Sequence, residues 1–197
     1  LCASTDTGSA CVGDKISNGM LGHTRAISSV RAEGEDFLCS VIGNVKARGI
    51  CGSGLIDAVS VMLERGLLGE FGEILSGDPA VSLTGDVDLT ARDIQEFQLA
   101  KAAIAAGLHI LIRRLGMAPE DIGRIYIAGA FGNYINLENM LQTGMMDFPH
   151  DRIHKLGNSA LIGAKMFLFS EMDTAGAILA RTEHINLESE PDFQDVF

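Results

Sequence analysis

The sequence predicts an α/β layered fold, on the alternation of its elements. From about residue 120 onward, short apolar runs alternate with stretches of helical period, as in layered α/β domains. The 23 glycines cluster at the edges of apolar runs, where tight turns and close backbone approaches belong. Apolar residues make up 47 % of the 197, ample for a core.

The first 20 residues are rich in Gly, Ser and Thr and show no helical period. Strand-like runs follow near Arg25–Arg31 and Phe37–Ile42, with a hairpin turn between them. Gly49-Ile-Cys-Gly-Ser-Gly54 leads into a helix over Leu55–Arg65, with Ser53 as its N-cap and Gly66 as its stop. Residues 69–88 read as a long loop with one short strand. The longest helix runs from Leu89 to about Leu115. Thr90 and Asp93 form a near capping box at its start. Its expected apolar stripe is Ile94, Phe97, Ile104, Leu108, Leu111 and Leu115. Pro119–Ile122 reads as a helical turn, Arg124–Ala128 as a buried strand and Leu137–Gln142 as a helix. Arg152–Leu156 is a second short strand, followed by a helix over Ser159–Phe169. One more helix, a strand near Ile185–Leu187 and an acidic end complete the chain. No repeat or linker divides it, so one domain, or the larger part of one, is expected.

A net charge of −11 argues against a nucleic-acid partner and against an anionic membrane surface. Nucleotide binding stays compatible with it, because local backbone amides do that work. The cysteines, Cys2, Cys11, Cys39 and Cys51, include no C-x-x-C pair, which fits neither zinc nor a ferredoxin cluster. Reduced thiols and a cytoplasmic location are expected. No apolar run approaches membrane-spanning length. The chain starts at Leu1 without an initiator methionine and reads as a piece of something longer.

Three stretches can carry chemistry. In Ile125-Tyr-Ile-Ala-Gly-Ala-Phe-Gly-Asn133 a strand runs straight into two glycines and an Asn. Ligands of open α/β sheets bind beyond the carboxyl ends of strands. Gly129 and Gly132 let a ring or phosphate approach, and Asn133 can bond to a ribose or base edge. A plain strand-to-helix turn that needs glycine for its dihedrals is the other open reading. Gly52, Ser53 and Gly54 form either a phosphate cradle at a helix start or a glycine turn that packs the helix closely. Gln98 and Lys101 share one helix face, where Lys101 either reaches a nucleotide or is solvated. Asp57 falls on the first turn of its helix, where a carboxylate is favourable. Asp93 reads as a cap, and Met145-Met146 as core filler. The five histidines show no metal spacing. Asp6-Thr7-Gly8-Ser9 spells an aspartic-protease loop. That chemistry needs two such loops sharing a proton, and Cys2-Ala-Ser-Thr5 is a poor entering strand.

IYIAGAFGNYI resembles a signature of the ATP-dependent reductive activators of corrinoid enzymes. GICGSGLID, LTARDIQEFQLAKAAIAAG and LGNSALIGAKMFL resemble three further blocks of that family, in its order and across nearly the whole chain. The resemblance implies an actin-like ATPase lobe of ribonuclease-H type, from the superfamily of acetate and sugar kinases, heat-shock chaperones and actin. It implies that residues 1–197 are the C-terminal portion of that ATPase domain. The acidic phosphate loop, the first lobe and an iron–sulfur domain would lie upstream of Leu1. The implied activity is ATP-driven reduction of a corrinoid protein from Co(II) to Co(I) in a methyltransferase system. The implied ligands are ATP or ADP with Mg²⁺. Gly129, Ala130, Phe131, Gly132 and Asn133 would line the adenosine pocket, with Gln98 and Lys101 as further contacts. Thr7, Gly8, Ser9, Gly52, Ser53 and Gly54 would border the phosphates. CASTDTGSACVG departs from the family's usual CSTAAGPAFEG, so Asp6 either faces the phosphates and their Mg²⁺ or replaces a residue at a tolerant surface turn. Two rival functions stand beside this: a docking or homodimerisation module without nucleotide, and a small-molecule kinase lobe on the same scaffold.

Overall fold

The computed structural model describes residues 1–5, 15–69, 71–169, 172–191 and 193. These fall into two compact units.

One unit takes in residues 6–104 and 135–147. Its sheet is mixed, in the order β3–β2–β4. Strands β2 (Ala26–Glu33) and β3 (Asp36–Val41) form the expected antiparallel hairpin, and β4 (Gly49–Ile50) adds in parallel on the other side of β2. Helix α1 (Gly52–Glu64) packs on β2, with Ser53 on Ser28, Gly54 against Ile27 and Asp57 on Val30, and its Leu55, Ile56, Val59 and Met62 are buried as well. It stops at Gly66, whose φ of 63° is the left-handed turn that glycine makes without strain. Just after the last turn, the Arg65 guanidinium bonds to the carbonyls of Gly34, Glu35 and Asp36 and lies 4.7 Å over the Phe37 ring. The helix end is thereby tied to the hairpin turn.

Residues 69–88 hold more structure than the sequence suggests. Strands β5 (Ala80–Thr84) and β6 (Val87–Thr90) form a second hairpin. It runs directly into α2 (Ala91–Arg114), so Leu89 and Thr90 end a strand instead of opening a helix. The capping box at Thr90 and Asp93 is present in both directions. Asp93 Oδ2 accepts from the Thr90 N–H and hydroxyl, both at 2.8 Å, and the Asp93 N–H donates to Thr90 Oγ1 at 3.2 Å. The buried face of α2 differs from the expected stripe. Ile94 and Phe97 are buried, but the row continues through Ala100, Ala103, Ala106 and Ile110, and Leu115 is exposed. Small side chains carry the contact where larger ones were expected. Helix α4 (Leu137–Gln142) closes this unit. Asn136 caps it, its Oδ1 accepting from the Glu138 and Asn139 N–H groups.

The other unit takes in residues 1–5, 105–134 and 148–197. Strands β7 (Ile125–Ala128) and β8 (Ile153–Gly157) pair in parallel, and β1 (Cys2–Ala3) pairs in parallel with β9 (His184–Ile185). Helices α3 (Gly129–Tyr134), α5 (Ser159–Phe169) and α6 (Met172–Ala180) complete it. Ile110, Ile185 and Leu187 form a small core, with Ala3, Leu111 and Phe193 against it. Arg114 and Glu190 make a two-pronged ion pair at 2.5 and 3.1 Å. The expected turn at Pro119–Asp121 is a 3-10 turn, braced by Arg152, whose Nη1 donates to the Glu120 and Ile122 carbonyls. Strand β7 is not buried as expected: Tyr126 is 52 % exposed and tilts against His154 on β8 with ring centres 5.7 Å apart. Helix α5 is apolar except for Ser159 and the exposed Lys165, and it bares Leu168 at 79 % and Phe169 at 91 %. No described helix is long and apolar enough to cross a membrane.

Candidate functional site

Strands β7 and β8 end side by side, Ala128 opposite Gly157. Each runs into a glycine with positive φ, 94° at Gly129 and 67° at Gly157, and then into a helix. This backbone reversal is one that L side chains adopt only with strain. Two helices therefore start beyond the carboxyl ends of two neighbouring parallel strands, the place where open α/β sheets bind ligands. A Cβ at Gly129 would meet nothing within 4 Å, so open space lies where a side chain would stand.

The two glycines of the stretch do different work. A Cβ on Gly132 would collide with Ile127 Cγ2, so Gly132 lets α3 fold back on its own strand. At Gly132 the strand-to-helix reading accounts for the residue. Phe131 and Asn133 are exposed on α3, and the backbone of Ala130 lies within the same helix. The Asn133 carbonyl accepts from Lys155 Nζ at 3.3 Å, and its side-chain oxygen lies 4.0 Å from where a Gly157 Cβ would stand. Asn158 caps α5 by accepting the Leu161 N–H at 3.2 Å. Sequence reasoning left Lys155, Gly157 and Asn158 out of the site. The signal was available: an apolar strand, a glycine and an Asn directly before a helix repeat the grammar of Gly129.

The remaining candidates belong to the other unit. Gly52, Ser53 and Gly54 are buried in the first turn of α1, and Cys51, not Ser53, is the N-cap. Ser53 instead donates its hydroxyl to the Ser28 carbonyl at 2.8 Å. A Cβ on Gly54 would strike the Ile27 carbonyl, so this glycine serves close helix–sheet packing. Gln98 Nε2 donates to the Phe71 carbonyl at 2.9 Å and abuts Gly72, holding that turn. Lys101 is half-buried, its ammonium 2.9 Å from where a Cβ on Gly144 would stand. Asp57 lies in the second turn of α1, not the first, and is buried. Its Oδ2 accepts the Val30 N–H at 3.2 Å and its Oδ1 accepts from Asn139 Nδ2 at 2.6 Å. Asp6, Thr7, Gly8 and Ser9 lie outside the described residues. Burial raises the pKa of the Cys39 thiol, which points at the Leu83 carbonyl 3.6 Å away. Among the described residues, no three His, Cys, Asp or Glu side chains gather to hold a metal ion.

The family described as the C-terminal domain of RACo, the ASKHA domain, matches residues 1–197. Corrinoid activation enzyme RamQ of Eubacterium limosum is 33 % identical over 224 residues, which span 99 % of this chain and 38 % of that protein. The [Co(II) methylated amine-specific corrinoid protein] reductase of Methanosarcina barkeri is 27 % identical over 99 % of this chain and 41 % of its own length. Among solved structures, a reductive activator for corrinoid, iron–sulfur protein superposes with a TM-score of 0.85 at 28 % identity. That match covers 98 % of this chain and 35 % of the other. The chain thus spans about two fifths of the curated relatives it matches. The likeness extends to the actin-like α/β fold expected from the sequence. Over its whole length, this chain belongs to the family of RACo C-terminal ASKHA domains.

Proposed function

We propose that residues 1–197 form the nucleotide-binding C-terminal portion of an ATP-dependent activator that reduces a corrinoid protein from Co(II) to Co(I). The names of the relatives support the corrinoid partner. The twin strand–glycine–helix junctions at Gly129 and Gly157 support the nucleotide site, and the open space at Gly129 fits a ring or sugar laid against bare backbone. Phe131 offers a ring face and Asn133 an amide to the adenosine.

In this reading the parent activator would supply one electron, from an iron–sulfur cluster, for the reduction of Co(II) to Co(I). Cleavage of ATP to ADP and phosphate drives the step. The chain's own part is conformational: nucleotide favours one arrangement of the activator, by as much as its affinity differs between the two. The proposed location is cytoplasmic.

A docking or homodimer role is favoured by one observation, the exposed Leu161, Ile162, Met166, Leu168 and Phe169 on α5. A helix that bares this many large apolar side chains is suited to being covered.

Calorimetric titration of Mg-ADP and Mg-ATP into the chain tests the nucleotide reading. Phe131→Ala and Asn133→Ala leave the turn glycines intact and are each expected to weaken binding about tenfold. Binding that neither substitution weakens would remove the pocket from Gly129–Asn133. No binding of either nucleotide would favour the docking role.

A further inference from the structure

Within the unit of residues 6–104 and 135–147, two loops lie side by side at the end of the β2–β3 hairpin away from Gly34. Residues 21–25 lead into β2, and residues 42–48 leave β3 and enter β4. The Arg25 N–H donates to the Ile42 carbonyl at 3.0 Å, and the Arg48 N–H donates to the Arg25 carbonyl at 3.0 Å. A Cβ on Gly43 would stand 3.0 Å from Thr24 Cγ2, so the loops touch.

This end of the sheet is basic in an acidic chain. Residues 15–32 and 37–56 include no Asp or Glu, although the net charge is −11. Arg25 and Arg48 are exposed, and among the described residues no carboxylate pairs with either. Lys46, between them, is held at 2.6 Å by Asp86 of the β5–β6 turn. Leu21 and Val45, on the same two loops, are exposed as well. Arginines beside exposed apolar side chains are the composition of a protein-binding surface.

Arg25 also sits in a strained backbone. Its φ of 82° lies in the left-handed region, which a side chain as large as arginine adopts only at a cost. The strain secures no packing, since the side chain is exposed.

The ligand that fits here is broad. A compact anion such as phosphate is cradled by free backbone N–H groups. The N–H groups of Arg25, Ala26, Asn44 and Arg48 are all committed to neighbouring carbonyls. Exposed guanidinium forks remain, and these reach carboxylates spread over a surface.

We propose that residues 21–25 and 42–48 form a docking surface for an acidic face of a protein partner, with Arg25 and Arg48 as its charged anchors. The chain as a whole repels such a partner, so a local basic patch fixes where it approaches. Docking here does not depend on nucleotide at Gly129–Asn133.

A fluorescein-labelled oligoglutamate peptide stands in for the acidic face. Its anisotropy is followed as the chain is added at low ionic strength, where exposed charges are least screened. Arg25→Gly and Arg48→Gln are each expected to weaken binding about threefold, and the double variant about tenfold. Arg31→Gln removes the same charge from the exposed part of β2 nearer the Gly34 turn and should leave the affinity unchanged. Arg25→Gly relieves the left-handed turn, so its melting temperature should rise by about 3 °C while its affinity falls. A merely structural role would not move the two in opposite directions. Absence of binding by the unsubstituted chain overturns the proposal. So does an Arg31→Gln loss equal to that of Arg48→Gln, which would reduce the effect to net charge, or an Arg25→Gly chain that binds as tightly as the unsubstituted one. Inorganic phosphate that displaces the peptide better than chloride at equal ionic strength would mean a compact anion site, and would overturn it too.

Discussion

Replacing Asp93 measures what one buried carboxylate does for the start of the longest helix. The side chain is 0 % exposed. Oδ1 accepts the Ser17 N–H at 2.7 Å, and Oδ2 accepts the Thr90 N–H and hydroxyl. Asp93→Ala leaves two backbone N–H groups without an acceptor. Each such group, where water cannot reach it, costs about 1–3 kcal/mol. The Asp93 N–H keeps its bond to Thr90 Oγ1, so the cap itself stays. Ser17 is exposed and Thr90 half-buried, so water recovers part of the loss, and the expected destabilisation is about 2–4 kcal/mol, against the roughly 5–15 kcal/mol that keeps a domain folded. Asp93→Asn has one acceptor oxygen in place of two and strands only one of the N–H groups, for about 1–3 kcal/mol. Thr90→Val keeps both backbone bonds and is expected to cost about 1 kcal/mol. Urea unfolding followed by circular dichroism reads all three, with the m-values compared to confirm that one transition is measured. A loss below about 1 kcal/mol for Asp93→Ala, or one that Thr90→Val equals, would refute the accounting.

The two glycines of α3 should respond to alanine for different reasons. Gly129→Ala meets open space and pays only the left-handed backbone penalty, about 1 kcal/mol, whereas Gly132→Ala meets Ile127. Thermal unfolding should show Gly132→Ala and Ile127→Ala coupled by about 1 kcal/mol, and strictly additive losses would contradict the packing. Burial raises the Cys39 thiol pKa, so its alkylation in the folded chain should shift to higher pH than in the urea-unfolded chain. The sign follows from linkage: the unfolded thiol releases its proton first. This contribution to stability is present below the unfolded pKa and is lost as pH rises through the folded value. Mass spectrometry of the alkylated Cys39 peptide reads the profile, and coincident curves for the two states would refute it.

Much of the order of elements was legible, because local rules and tertiary packing agree over most of the chain. The hairpin at Gly34, the stop at Gly66, the capping box at Thr90 and Asp93, and the helix over Ser159–Phe169 are read directly from residue types. The misreadings share a cause. Ser53 looked like a cap because serine usually is one, but the helix begins earlier and the hydroxyl serves Ser28. The stripe on α2 was sought among large apolar residues, and the row of alanines was passed over. Strand β7 looked buried from its composition, which does not report whether a neighbour covers it. At the candidate site, the Gly129 turn is visible in sequence, since a glycine after an apolar strand announces itself. Its companion at Gly157 depends on Ala128 lying opposite it, and strand register is a long-range fact. The pairing of α1 with α4, from Asn139 to Asp57 and from Ser60 to Gln142, is equally non-local, each bond joining positions 82 apart.

The row Ala100, Ala103, Ala106 has a practical consequence for anyone mapping this helix. Alanine scanning finds a contact by deleting atoms beyond Cβ, and here there are none to delete. A scan would pass over this face in silence and score it as unimportant. The informative change runs the other way. Enlargement to valine or leucine adds methyl groups where no water-exposed room is left, so the sensitive positions are those a deletion screen leaves blank.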